Sequence, residues 1–180
     1  IRDSIVVPEE VHSLERFEKW RSRRGIANPI GKFDGNIVVV FLEGWPGNMI
    51  DHKSDGIETI PFFNQLQKQS LRPELMLAGG HRTTEGIFAT MCSMPNPPGK
   101  SIMFSEIENK DFTCLPRLLT NKGYSSAFFQ GSDQYTSGVG LMVLKTGFQE
   151  SLGKREIPNW KDIEQNAWGV FDHDLYKFAE

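Results

Sequence analysis

Three short polar clusters in this sequence combine residue types that do chemistry, and each adjoins an apolar stretch able to position it. Glu43 directly follows Asn36-Ile-Val-Val-Val-Phe-Leu42, a run that is apolar from Ile37 onward. A carboxylate where a buried strand emerges needs a partner charge or a metal, because an unpaired charge in a low-dielectric setting is costly. As a hard oxygen donor it suits magnesium, manganese, calcium or zinc. A capping or salt-bridged glutamate is the alternative, and the residues alone leave both open.

The second cluster is Gly79-Gly-His-Arg-Thr-Thr-Glu85. Thr83 and Thr84 fall at a predicted helix start, where an N-cap threonine is ordinary. The same place offers free N–H groups and partial positive charge to an arriving phosphoryl group. A threonine hydroxyl there can act as a nucleophile, and Arg82 can clamp a phosphate oxygen. His81 lies close enough in sequence to touch a substrate. The third cluster, Gln130-Gly-Ser-Asp133, follows a predicted strand beginning near Ser125. In open α/β sheets ligands bind beyond the carboxyl ends of strands, which is where all three clusters fall.

The elements that must hold these residues alternate between strand and helix. The apolar run 36–42 predicts a strand buried on both faces, and Glu74 to Ala78 a short strand entering Gly79-Gly80. Helices are predicted from Thr59 with Pro61 in the first turn, over Thr83–Cys92, over Leu115–Lys122, around Val139–Thr146 before Gly147, and over Trp168–Ala179. An amphipathic helix from Pro8 to about Arg24 precedes them. The pattern predicts an α/β sandwich, with residues 1–35 as a helical lead-in and 36–180 as the catalytic part.

Bulk properties exclude some classes. At 180 residues the chain can bury a core, and 38% hydrophobic with 24% charged residues is a globular composition. A formal net charge of −3 gives no electrostatic case for nucleic acid, and Arg21, Arg23 and Arg24 read as a solvated helix face. No apolar run reaches the roughly 18 residues needed to span a bilayer. The sequence opens on Ile1 with no signal peptide, which reads as a piece of a longer protein. Cys92 and Cys114 fit no zinc spacing; a single bridge and two separate buried thiols are both open.

Five segments together resemble a known family. They are Asn36-Ile-Val-Val-Val-Phe-Leu-Glu43, Ile60-Pro-Phe-Phe-Asn-Gln-Leu66, Arg82-Thr-Thr-Glu-Gly-Ile-Phe88, Leu115-Pro-Arg-Leu-Leu-Thr-Asn-Lys-Gly-Tyr124 and Trp168-Gly-Val-Phe-Asp172. In order and spacing, over about four-fifths of the chain, they resemble the sulfatase-like lipoteichoic acid synthases and phosphoglycerol transferases of the alkaline phosphatase superfamily. The resemblance implies the N-terminal part of an alkaline phosphatase-like sandwich with a mostly parallel central sheet. It implies Thr83 as nucleophile and one divalent ion (manganese, magnesium or zinc) on Glu43 and Thr83. The implied reaction moves a phosphoglycerol-type group from a phospholipid donor to an envelope glycan or lipid through a covalent threonine intermediate.

Phe129-Gln-Gly-Ser132 and the two cysteines are most similar to the periplasmic glucan phosphoglycerol transferases. That similarity implies a Cys92–Cys114 disulfide, substrate contacts from Arg82, Gln130, Ser132 and Trp168, and a periplasmic domain carried on upstream inner-membrane helices. Phosphoethanolamine transfer shares the threonine nucleophile. A sulfatase would need a Cys-x-Pro-x-Arg-like motif, which Cys92-Ser-Met-Pro95 does not make. The family completes its metal site with a downstream Ser-Asp-His-Gly, and this chain has only Asp172-His173, which reads as a helix terminus. A superfamily fragment without a full metal site is therefore a further alternative.

Overall fold

Short-range signals account for most of the elements. The computed structural model describes residues 35–71, 73, 76–96, 101–105, 108, 110 and 112–180. The predicted helix from Pro8 to Arg24 and the cluster Arg21, Arg23 and Arg24 lie outside them. The described residues fall into two compact units, 35–78 and 79–180.

In the smaller unit, β1 (Lys53–Ser54) and β2 (Ile57–Glu58) form an antiparallel hairpin. Its turn is Asp55-Gly56, with φ of 50° and 83°. Both central residues at positive φ make the turn whose twist matches paired strands, and Asp-Gly is a favoured sequence for it. Helix α1 (Pro61–Lys68) begins with proline in its first turn, where the missing N–H breaks no helical bond. Asn64 is its one buried residue. Its Oδ1 accepts from the Asp51 backbone N–H at 3.0 Å and its Nδ2 donates to Glu58 at 3.3 Å, so one amide ties helix to hairpin. Trp45 packs on Phe63 with ring centroids 5.4 Å apart.

The run 36–42 departs from expectation. It forms no strand, and Val38 is 83% exposed. β-branched residues favour a pleated surface, but a strand also needs a neighbour to take its backbone hydrogen bonds. Among the described residues no segment pairs with it. Residues 76–78, the described part of the second predicted strand, are likewise irregular and exposed.

The larger unit holds the core. Helix α2 (Thr83–Cys92) buries Ile87, Phe88, Met91 and Cys92. Phe88 meets Phe112 edge-on with centroids 5.0 Å apart. α2 ends where Ser93 turns left-handed at φ 54°. Helix α3 (Leu115–Thr120) follows Cys114, and a Cys92–Cys114 disulfide joins its start to the end of α2. Strand β3 (Ala127–Phe129), helix α4 (Val139–Thr146) and strand β4 (Glu150–Leu152) make a β–α–β unit. β3 and β4 are parallel, with Phe128 opposite Ser151. α4 buries Val139, Met142 and Val143 and packs on both α2 and β4. Helix α5 (Asp172–Ala179) closes the chain, with Asp172 and Asp174 in its first turn, where acids complement the helix dipole. Among the described residues no helix is long and apolar enough to cross a membrane.

Candidate active site

The structure separates two threonines that the sequence leaves equivalent. Arg82 occupies the N-cap of α2 in an extended conformation and makes no side-chain cap bond, so Thr83 is the first helical residue and not the cap. Thr84 is 4% exposed, and its hydroxyl lies 3.0 Å from that of Ser101, itself buried. Thr83 is exposed. Burial thus commits Thr84 to packing and leaves Thr83 as the hydroxyl a substrate can reach. Glu85 in the first turn accepts the His81 backbone N–H at 2.8 Å.

A second group forms at the carboxyl end of β3. The Gln130 N–H donates to the Leu152 carbonyl at 3.0 Å, and its side-chain amide donates to the Asp133 carbonyl at 3.1 Å. Asp133 is paired with Arg155, and its other carboxylate oxygen accepts the Tyr135 N–H at 3.0 Å. The Ser132 carbonyl accepts the Lys154 N–H at 2.9 Å. This loop is therefore held by its own backbone and carboxylate.

Trp168 is displayed beside it on a tight hairpin. Asn166 Oδ1 accepts the N–H groups of Trp168 at 2.7 Å and Gly169 at 3.0 Å, while a bridge joins Gln165 to Val170. The hairpin docks through the Val170 N–H on the Gly131 carbonyl at 3.0 Å. At Gly169 an added Cβ would fall 1.9 Å from the Gly131 oxygen, so only glycine lets the two backbones meet. The indole is 76% exposed. It is not core packing: the hairpin that carries it is fixed by hydrogen bonds and docks its backbone on Gly131, while the ring stays in solvent.

Glu43 lies in the smaller unit and is exposed in a turn with Gly44. Its oxygen chemistry suits a hard divalent ion. The described residues nevertheless contain no cluster of three or more His, Cys, Asp or Glu able to hold a metal. Glu43 by itself is one oxygen donor, short of the four to eight ligands such ions usually take. Asp172-His173 is not such a site: His173 stacks on Phe171 and contacts Asp174 at the start of α5. Sequence reasoning missed Ser101 and Asn96. Asn96 donates to the carbonyls of Gly79 and Glu85 at 3.2 and 2.8 Å. No local pattern marks a residue whose role depends on the chain folding back.

Residues 35–180 match the sulfatase family, so the chain belongs to it. Lipoteichoic acid synthase 2 of Bacillus subtilis (strain 168) is 29% identical over 109 residues, 58% of this chain and 17% of that protein. Among solved structures, a protein of the alkaline phosphatase superfamily from Vibrio parahaemolyticus aligns with a TM-score of 0.60 at 24% identity, covering 69% of this chain and 30% of that one. The lipoteichoic acid synthase LtaP from Listeria monocytogenes aligns with a TM-score of 0.63 at 16% identity, covering 73% and 32%. The fold is that of the N-terminal part of an alkaline phosphatase-like structure. The chain spans about a sixth of the curated relative and about a third of each solved neighbour.

Proposed function

We propose that this chain carries the nucleophile of a phosphotransferase that moves a phosphoglycerol-type group from a phospholipid to an envelope glycan or lipid. The observation that carries the reading is the exposed Thr83 at the first position of α2, beside a Thr84 that burial takes out of play. Thr83 Oγ1 forms a bond to phosphorus as the bond from phosphorus to the donor's alcohol oxygen breaks, and the threonine proton ends on that alcohol. The acceptor hydroxyl then bonds to phosphorus, the Thr83–phosphorus bond breaks, and Thr83 regains a proton. The partial positive charge of the α2 N-terminus and the Arg82 guanidinium stabilise the anionic group in both steps. Gln130, Ser132 and Trp168 contact the substrate.

Glu43 and Thr83 are proposed as two oxygen ligands of a divalent ion (manganese, magnesium or zinc), which needs further ligands beyond the described residues. Such an ion supplies charge stabilisation to phosphoryl transfer. A sulfatase of the formylglycine type draws no support from Cys92, which is 1% exposed and disulfide-bonded. The same bridge supports an oxidising compartment, consistent with an extracytoplasmic site of action.

The test is intact-mass analysis of the whole protein after exposure to phosphatidylglycerol vesicles with manganese. A glycerophosphate adduct on Thr83, absent in Thr83→Ala, is expected. Turnover in that variant should fall by at least about a thousandfold. An ethanolamine phosphate adduct from phosphatidylethanolamine would redirect the donor, and no adduct from either lipid would overturn the reading.

A further inference from the structure

Thr83 follows the glycine-containing turn 79–82 and opens α2. A long-range contact braces this turn, and it comes from the segment that follows α2. After Cys92 the left-handed Ser93 reverses the chain, Met94 is buried, and Asn96 returns to the start of the helix. Its Nδ2 carries two hydrogens. One goes to the Gly79 carbonyl at 3.2 Å and the other to the Glu85 carbonyl at 2.8 Å. These acceptors flank Thr83 on both sides in sequence, so a single amide closes a ring around the nucleophile.

Glu85 closes a smaller ring inside it through the His81 N–H at 2.8 Å. The glycines let the turn lie flat on the helix: an added Cβ would come within 2.3 Å of Ala89 Cβ at Gly79, and within 2.2 Å of Glu85 Cβ at Gly80. The orientation of Asn96 is set by chemistry, since the flipped amide would turn its oxygen toward two carbonyls. Its Oδ1 is buried with no partner among the described residues.

We propose that Asn96, seconded by Glu85, is a positioning residue that holds Thr83 in register for attack. The inference rests on the phosphotransferase reading above. Reaction rates are steep in geometry, and a misplacement of about 1 Å can cost a hundredfold. In the intact protein, Asn96→Ala and Asn96→Asp should lower kcat for Thr83-dependent transfer by about tenfold or more with KM unchanged, since the residue contacts backbone and not substrate. Amide hydrogen exchange of residues 80–84 should quicken while α4 stays protected. Glu85→Gln, which keeps an acceptor for His81, should retain activity that Glu85→Ala loses. This pair decides the matter if the Asn96 variants do not fold.

Unchanged kcat in Asn96→Ala, a rise in KM alone, or equal losses in Glu85→Gln and Glu85→Ala would each overturn the proposal. If the unsubstituted protein shows no Thr83-dependent transfer, the functional reading fails. The exchange data then judge the positioning claim: faster exchange at 80–84 upholds Asn96 as the clamp, and unchanged exchange refutes it.

Discussion

The turn that leads into Thr83 and the segment that leads into Glu43 carry candidate site residues of equal weight in the sequence, yet they are built in opposite ways. Residues 79–85 are short, polar and glycine-containing, and they are braced by Asn96, Glu85 and the helix itself. Residues 36–42 are almost wholly apolar; they are mostly exposed, and among the described residues no strand pairs with them. Composition would rank the second as the rigid element. The difference shows that a backbone is held by satisfied hydrogen bonds and packed neighbours, and apolar character supplies neither without a partner.

That contrast can be tested by substitutions on either side of it. The largest stability effect is expected at the core beneath the nucleophile. Phe88→Ala should destabilise the protein by about 4 kcal/mol, read from the denaturation midpoint, because it removes a fully buried ring and leaves a cavity against Phe112. Replacing both cysteines with serine should cost about 3 kcal/mol, since the bridge closes a loop with a sequence separation of 22. Dithiothreitol should lower the midpoint of the unsubstituted protein and leave that of the serine variant unmoved.

Gly169→Ala should cost about 2 kcal/mol by forcing the Trp168 hairpin off Gly131. Fluorescence of the region should shift as the indole changes surroundings. At the other pole, Val38→Lys should change stability by less than about 0.5 kcal/mol, as expected of a side chain already in solvent. A loss of several kcal/mol there would show that 36–42 is packed in solution and would dissolve the contrast.

Legibility followed the range of the interactions involved. α4 matched its predicted bounds, because an apolar repeat and a stopping glycine are local signals. α2 began at Thr83 as expected, and α1 began at Pro61, two residues after the expected Thr59, again from local chemistry. The Asp55-Gly56 hairpin turn is an equally local signal. The second half of the predicted helix from Trp168 held, but its first residues went to a hairpin fixed by Asn166, whose side chain competes with the helix for backbone N–H groups.

The sequence by itself determined which residues are chemically capable, the family and most helices, since side-chain type and near-neighbour spacing are written along the chain. Tertiary structure alone decided which capable residues are presented. It buried Thr84 against Ser101 and left Thr83 exposed, held Trp168 in solvent on a hairpin docked at Gly131, and brought Asn96 back to the start of the preceding helix. Each of these outcomes depends on contacts between residues distant in sequence, and a one-dimensional pattern carries no term for them.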